Sequence, residues 1–259
     1  MSDLPTPPVP PTPPTSPTPP VPPAPQDPSR FTKPQGDTEA AKVQDQVARQ
    51  AGLSGGPQGG GTLWSEPVLV VNQKAKLIEI TAEFKVFDQH GNQIGSVAQV
   101  GQSTLKKVAR FVSSLDQFMT HTDEIRDAAG TAQLVLTRPA KIMKSKFRIA
   151  RGDGSEVGEV KQDNVFGKIH FSLEAGGQNL GSINAENWRA WNFSVADASG
   201  VEVARISKTW EGFAKTAFTT ADNFVVQIHQ PLSEPLHSLV IAAALCVDTA
   251  LKQDSRGFG

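Results

Sequence analysis

The sequence of residues 236–251 is Leu-His-Ser-Leu-Val-Ile-Ala-Ala-Ala-Leu-Cys-Val-Asp-Thr-Ala-Leu, and every residue between positions 239 and 247 is apolar. A helix that is apolar on all sides must be surrounded by protein or by lipid. A bilayer crossing takes about 20 apolar residues, and this run is about half that long. The stretch therefore predicts a buried core helix, placed at about residues 234–252.

Alternation of apolar and polar residues predicts strands in much of the chain before this helix. In residues 77–88, apolar side chains from Ile78 to Val86 alternate with Glu79, Thr81, Glu83 and Lys85. This period of two is typical of a sheet with one face in water. Similar alternation recurs in residues 168–174, 191–195 and 224–228.

Five short turns, each containing glycine, separate strand-like runs and end at Gly91, Gly130, Gly154, Gly177 and Gly200. Glycine supplies the positive φ that tight turns require, so these segments predict five hairpins. The pattern that follows most of these turns is a repeated apolar-small pair: Ile94-Gly95, Val157-Gly158, Leu180-Gly181 and Val203-Ala204. We interpret this pattern as a repeated hairpin unit and not as a binding motif.

Five hairpins, with further strands at residues 68–72 and 223–229, give about twelve strands. A meander of that many strands closes into a barrel or packs as a sandwich, because open edges invite aggregation. A closed barrel also has room for the apolar helix. The sequence therefore predicts a mostly β fold: residues 63–254 form a closed antiparallel barrel of about twelve strands around a central apolar C-terminal α-helix.

Two segments precede the predicted barrel. Most of the 20 prolines lie before Ser29, so residues 1–36 are predicted to be a disordered, proline-rich tail. The tail is either a ligand for a domain that binds proline-rich motifs or a solvated spacer. Residues 37–62 are predicted to be a weak helix, with Val43 and Val47 on one side, and a Gly-rich linker. We expect this helix to be too weakly apolar to anchor anything.

One further segment, residues 103–118, has apolar residues at helical spacing and basic residues elsewhere. It is either a helix that lies on a membrane surface or a cover for one end of the barrel.

Composition argues against several classes of protein. The net charge of -1 gives no sign of a nucleic-acid binder. The single cysteine, Cys246, lies in the apolar run, which excludes a disulfide framework within one chain and fits a reducing, cytoplasmic setting. The first residues, Met-Ser-Asp-Leu-Pro, predict no secretory signal. The five histidines lack the spacing of a metal site, and no nucleophile elbow appears at a strand-to-helix turn, so no enzyme is predicted.

Residues 206–224 resemble the hallmark segment of the phospholipid scramblase family, through Lys208, Trp210, Gly212, Phe218, Asp222, Asn223 and Phe224. Residues 70–95, the Thr137-Arg138-Pro139 triplet and the apolar run ending at Asp248 are also similar to parts of that family. The resemblance implies a Tubby-like C-terminal fold and calcium-stimulated movement of phospholipids between bilayer leaflets at the plasma membrane.

The chain departs from the family in its calcium loop. The loop proposed for the family corresponds to residues 220–231 and is acidic at both ends in the animal proteins, whereas here Asp222 remains, helped by Asn223. Calcium prefers six to eight oxygen ligands with several carboxylates, so we expect weak calcium binding or none. The alternative for Asp222 is a turn residue ahead of the last strand.

The chain also lacks the cysteine cluster that carries acyl anchors in the animal proteins. The corresponding segment is basic, and its cations are Lys141, Lys144, Lys146, Arg148 and Arg151. The middle three fall on one face of a strand, where each could contribute about 1 kcal/mol of attraction to an anionic membrane surface. The alternative is a solvated outer strand face.

Two functional hypotheses follow, both at the cytoplasmic side of the plasma membrane. The first is a phospholipid scramblase-like protein that moves phospholipids between leaflets. The alternative is a non-catalytic barrel module that binds anionic lipids and recruits a partner through the proline-rich arm. A scaffold without a ligand remains a third interpretation.

Overall fold

The fold is known from a computed structural model, which describes residues 35–51, 59–73, 82–100, 120–140, 144–164, 167–186, 192–210 and 222–257. The predictions made for residues 1–34 and for residues 103–118 lie outside these ranges.

Within the described ranges the chain forms twelve strands and two helices. They are α1 (Gln35–Ala51), β1 (Val68–Gln73), β2 (Ala82–Phe87), β3 (Gln93–Val100), β4 (His121–Asp127), β5 (Ala132–Arg138), β6 (Lys146–Arg151), β7 (Glu156–Gln162), β8 (His170–Ala175), β9 (Gln178–Ala185), β10 (Asn192–Asp197), β11 (Glu202–Trp210), β12 (Asp222–Ile228) and α2 (Leu236–Gly257). Each strand pairs with its neighbours in chain order, and β12 pairs antiparallel with β1, which closes the barrel. The predicted closed barrel of about twelve strands is confirmed.

The predicted hairpins join β2 to β3, β4 to β5, β6 to β7, β8 to β9 and β10 to β11, all at one end of the barrel, which we call the hairpin end. Gly154 and Gly200 have φ angles of 89° and 84° there. A residue with a Cβ atom rarely adopts this conformation, which explains glycine at these positions. The amide of Gly154 closes its turn by donating to the carbonyl oxygen of Arg151 at 2.9 Å.

The repeated apolar-small pair marks a β-bulge. In the β6–β7 hairpin, Ile149 pairs with Gly158 and Ala150 pairs with Glu156, so Val157 is left between them as an extra residue. The other hairpins leave out the equivalent residues, Ile94, Gln133, Leu180 and Val203. Bulges bend a strand and increase its twist, which helps a sheet to curve into a closed barrel.

The glycine that follows the bulge is needed for close approach of the neighbouring strand. A Cβ atom on Gly158 would lie 2.3 Å from the carbonyl oxygen of Glu174, and one on Gly181 would lie 2.2 Å from that of Ala196. Backbone atoms cannot retreat from such a contact without breaking the strand pairing. Glycine is therefore required at Gly158 and Gly181, whereas Leu134 and Ala204 carry a Cβ atom at the equivalent positions of their hairpins.

Helix α2 occupies the centre of the barrel. Its residues 239–247 are at most 7% exposed, and they belong to one core cluster with the inward side chains of the strands. Bulky strand residues, including Phe171, Phe193 and Phe224, lie in the same cluster as the small residues Ala242, Ala243 and Ala244, which allows dense packing around the helix. The predicted buried core helix is confirmed. No helix among the described residues combines the length and the hydropathy needed to cross a membrane.

Helix α1 packs on the outside of the barrel. Val43 and Val47 are 0% and 3% exposed, and they contact a set of outward-facing side chains from β1, β2 and β12: Val68, Val70, Phe87 and Val225. The side-chain amide of Gln44 also donates to the carbonyl oxygen of His90 at 2.8 Å. The expectation that this helix anchors to nothing was wrong, because the strands supply most of the apolar surface. We call the four outward-facing residues the apolar wall.

Candidate functional site

Two of the three basic side chains predicted to share a strand face, Lys146 and Arg148, lie on the outer face of β6. Lys146 and Arg148 alternate with the buried residues Phe147 and Ile149, whose side chains enter the core. Lys144 precedes the strand and is exposed. Arg148 is more exposed than Lys146, with 66% of its side chain accessible against 41%. Lys141 lies outside the described residues.

The neighbouring strand β7 adds two residues that sequence reasoning missed. Glu159 lies directly opposite Arg148, and Lys161 lies directly opposite Lys146. In the sequence both are polar residues that alternate with apolar ones in β7. Neither the pairing of β7 with β6 nor the register of that pairing was predicted. We call Lys144, Lys146, Arg148 and Lys161 the basic strip.

Glu159 contacts three of the four cations in the basic strip. Its Oε1 atom lies 2.8 Å from Nζ of Lys146 and 3.6 Å from Nε of Arg148, and its Oε2 atom lies 3.3 Å from Nζ of Lys161. Lys161 also forms an ion pair with Glu174 on β8. Three positive groups on two strands therefore converge on one carboxylate.

The pKa values of Glu159 and Lys161 keep both groups charged near neutral pH. Partial burial raises the pKa of Glu159, but hydrogen bonds from Lys146 and Lys161 outweigh it, so the pKa lies below its usual range. The hydrogen bond to Glu174, with smaller help from Glu159, raises the pKa of Lys161. An external anion that approaches the basic strip therefore meets a charged carboxylate among the cations.

Lys144 differs from the other members of the basic strip. Its ammonium group donates to the backbone carbonyl oxygen of Asp163, in the β7–β8 connection. That contact neutralises no charge, because the acceptor is a peptide oxygen. The carboxylate of Asp163 instead contacts His170 and Ser172.

Arg151, which the sequence analysis grouped with these cations, lies elsewhere. Its guanidinium stacks over the ring of Trp64, 5.1 Å from the centroid, and its Nη2 atom lies 3.1 Å from Oε2 of Glu234 at the start of α2. The alternation in β6 already indicated this difference, because Arg151 and Ile149 are two residues apart and therefore lie on the same side of the strand. Arg151 therefore belongs to the hairpin end of the barrel.

At the hairpin end, a group of side chains connects α2 to the surrounding barrel. Trp64 donates from Nε1 to Oε1 of Gln133 at 3.2 Å, and its ring meets the ring of His237 edge-on at 5.8 Å. Burial lowers the pKa of His237; Glu234 opposes this effect and Arg151 adds to it. These contacts hold the first turn of the central helix in place.

Those hallmark residues that the structure describes lie on the pair of strands β11 and β12. Lys208 is opposite Phe224, and Trp210 is opposite Asp222. The ammonium of Lys208 lies 5.6 Å from the ring centroid of Phe224, which is fully buried. Gly212 and Phe218 lie outside the described residues.

The candidate calcium residues begin a strand. Asp222 and Asn223 are the first two residues of β12, paired with Trp210 and Thr209 of β11. Among the described residues, no group of three or more His, Cys, Asp or Glu side chains is placed to hold a metal ion. Weak calcium binding at Asp222 and Asn223 stays a prediction.

Cys246 lies inside the barrel, where its side chain is fully buried. Burial, with a smaller effect of Asp123, raises the pKa of its thiol well above the usual range. The thiol is therefore protonated and has the character of a core side chain, because the thiolate is the reactive form.

Comparison with known proteins identifies the family of this chain. A family model described as "Scramblase" matches residues 50–251. A 48-residue segment is 42% identical to human phospholipid scramblase 2; it covers 18% of this chain and 16% of the human protein. No solved structure matches. Because the family match extends over most of the chain and includes the whole barrel, this chain belongs to the scramblase family.

Proposed function

We propose that this protein acts on phospholipid bilayers. It docks on the anionic cytoplasmic leaflet of the plasma membrane through the basic strip and moves phospholipids between the leaflets. The observation that carries the docking step is the clustering of four cations on one side of the barrel, three of which contact the carboxylates of Glu159 and Glu174.

Electrostatics supports the basic strip as the docking surface. A Lys or Arg near an anionic leaflet contributes about 1 kcal/mol, and the attraction falls off over about 10 Å at ordinary ionic strength. Side chains that project from the wall, such as Arg148, can come within that distance of lipid headgroups. Docking through this surface is therefore expected to weaken as salt is added.

The enclosure of α2 supports membrane contact through exposed side chains on the outside of the barrel. The apolar side chains of this helix already contact the inward faces of the strands. Extracting them would expose the centre of the core at a cost of several kcal/mol for each large side chain. The exposed outer side chains are the ones that can meet a bilayer while the barrel stays folded.

Membership of the scramblase family and the name of the human relative support leaflet exchange as the outcome of docking. Exchange involves no covalent chemistry, since the lipid leaves one leaflet and enters the other unchanged. With one carboxylate at Asp222, calcium is expected to have little effect on the rate.

Sedimentation with vesicles tests the docking step. We compare the full chain with a variant carrying Lys144→Gln, Lys146→Gln and Arg148→Gln. Loss of three charges at about 1 kcal/mol each predicts binding to anionic vesicles that is about 100-fold weaker. The matched control removes three cations from other strands, through Lys85→Gln, Arg126→Gln and Arg205→Gln. Equal losses in both variants would show that total charge, and not the basic strip, governs binding.

Reconstitution tests leaflet exchange. Vesicles with a fluorescent lipid in one leaflet should lose that asymmetry faster with the protein than without it, in the presence and in the absence of calcium. If docking occurs and exchange is not accelerated in either condition, leaflet exchange is rejected. The second candidate then applies: a non-catalytic module that binds anionic lipids and recruits a partner through the proline-rich arm. The enclosure of α2 favours this candidate.

A further inference from the structure

Two like-charged side chains face each other across the basic strip. Lys146 and Lys161 occupy directly opposed positions on β6 and β7. Like charges at such positions destabilise a strand pair, because the side chains lie close together. Glu159 reduces this cost, since its two carboxylate oxygens contact both ammonium groups at 2.8 and 3.3 Å.

Glu159 occupies the place that an external phosphate would take. Two lysines and one arginine approach its carboxylate from two strands. Cationic groups that converge on one small anion are the usual way in which proteins hold phosphate oxygens. A lipid phosphate that reaches the same three cations must displace the carboxylate.

We infer that Glu159 is a resident counter-ion that competes with the lipid phosphate for the basic strip, and that a phosphate monoester headgroup displaces it more readily than a phosphate diester does. This inference rests on docking through the basic strip. A phosphate monoester carries a charge of about −1.5 to −2 near pH 7. A diester headgroup has a single negative charge on its phosphate, equal to that of the carboxylate it replaces. The monoester therefore gains more from the exchange.

Lys161 takes part in phosphate binding in this scheme. It forms ion pairs with both Glu159 and Glu174, and its side chain is 34% exposed. When the Glu159 carboxylate moves aside, Lys161 is placed to contact the incoming phosphate together with Lys146. Glu159 is a positioning residue in this scheme, since it acts through the lysines that it holds apart or releases.

Vesicle binding by charge-matched variants tests the inference. The probes are neutral phosphatidylcholine vesicles with either phosphatidate or phosphatidylserine added to the same total surface charge. The variant is Glu159→Gln, and the control is Glu124→Gln on β4, which removes the same charge from a carboxylate paired with Arg126. Inorganic phosphate in solution, added as a competitor, separates a lipid site from a site for free phosphate.

The wild type is expected to bind phosphatidate vesicles more tightly than phosphatidylserine vesicles. Glu159→Gln should tighten both affinities about fivefold, as expected for one charge near the surface, because both lipids displace the same carboxylate. Glu124→Gln should change neither quantity by more than about twofold, since its charge lies on another strand. Free phosphate should compete weakly.

Equal effects of Glu159→Gln and Glu124→Gln would overturn the inference and leave docking intact. Equal affinities of the wild type for the two kinds of vesicle would overturn it as well, and so would strong competition by free phosphate. Binding by neither the wild type nor Glu159→Gln would reject docking and the inference together. If repulsion between the lysines unfolds Glu159→Gln, adding Lys161→Gln removes that repulsion, and binding by this double variant that is tighter than binding by Lys161→Gln alone supports the inference.

Discussion

Opposite sides of this barrel have the same interior and different exteriors. On β12, β1 and β2 the four outward-facing residues of the apolar wall are covered by α1, whereas on β6 and β7 the outward side chains of the basic strip are charged and meet solvent. Strands β1 and β7 lie six places apart in the closed order of twelve, on opposite sides of the barrel. Both sides direct apolar residues towards α2. The inner face therefore builds the fold, and the outer face determines what each side contacts.

The sequence records this difference. Residues 68–71 read Val-Leu-Val-Val, an unbroken apolar run, whereas residues 146–149 read Lys-Phe-Arg-Ile, with strict alternation. A strand buried on both faces needs the first pattern, and a strand with one face in water needs the second. The apolar run in β1 was the signal for α1 that sequence reasoning missed.

The largest expected effect comes from placing a charge on the covered side. Val70→Asp puts a carboxylate beneath α1, where Val70 is fully buried, and should lower the free energy of unfolding by about 3 kcal/mol or more. Arg148→Gln, at an outer position of the open side, should change it by less than about 0.5 kcal/mol. Urea unfolding of both variants measures the difference. Similar values would mean that the two sides are equally exposed in solution.

The contact between α1 and the apolar wall can be weakened from the helix side. Val43→Ala and Val47→Ala should each cost about 1–2 kcal/mol, because each removes buried aliphatic carbon. We expect amide hydrogen exchange in α1 to become fast while exchange in the barrel strands stays slow. Val201→Ala, at a valine that is 54% exposed, is the control and should alter neither region. Faster exchange in the strands would show instead that α1 and the barrel unfold together.

The contacts of α2 at the hairpin end should make the stability of the protein depend on pH. Burial lowers the pKa of His237 in the folded protein, so the unfolded chain takes up its proton more readily. Stability from this group is complete above the unfolded pKa of about 6.5, and it is lost as pH falls through the lower folded pKa. Unfolding measured between neutral and mildly acidic pH should show a smaller loss in His237→Gln than in the wild type. An identical loss in the two proteins would assign the pH dependence to other groups.

The smallest expected effect concerns the stability contribution of the basic strip. Lys161→Gln removes ion pairs that are about one-third exposed, and exposed ion pairs contribute little because water and salt screen them. The free energy of unfolding should change by less than about 1 kcal/mol, and less still at high salt. A loss above about 2 kcal/mol would make the network a structural element of the barrel and weaken its assignment as a docking surface.

The barrel was predictable because its signals are local. The alternation of side chains within a strand, the glycine that ends each hairpin and the length of the apolar run before Asp248 are all properties of short segments. Together they predict the strand number, the closure and the enclosed helix, which the structure confirms. Lys146 and Arg148 were placed on one face by the same rule.

What the sequence could not determine are contacts between segments that lie far apart in the chain. The apolar wall combines side chains from β1, β2 and β12, and the partner of that surface is a helix that reads as weakly apolar by itself. Likewise, Glu159 meets Lys146, Arg148 and Lys161 because of the register between β6 and β7, and Arg151 meets Trp64 and Glu234 because the barrel closes. Periodicity determines which face of a strand each side chain takes. Barrel closure and strand register decide its neighbours, and both depend on the free energy of the whole fold.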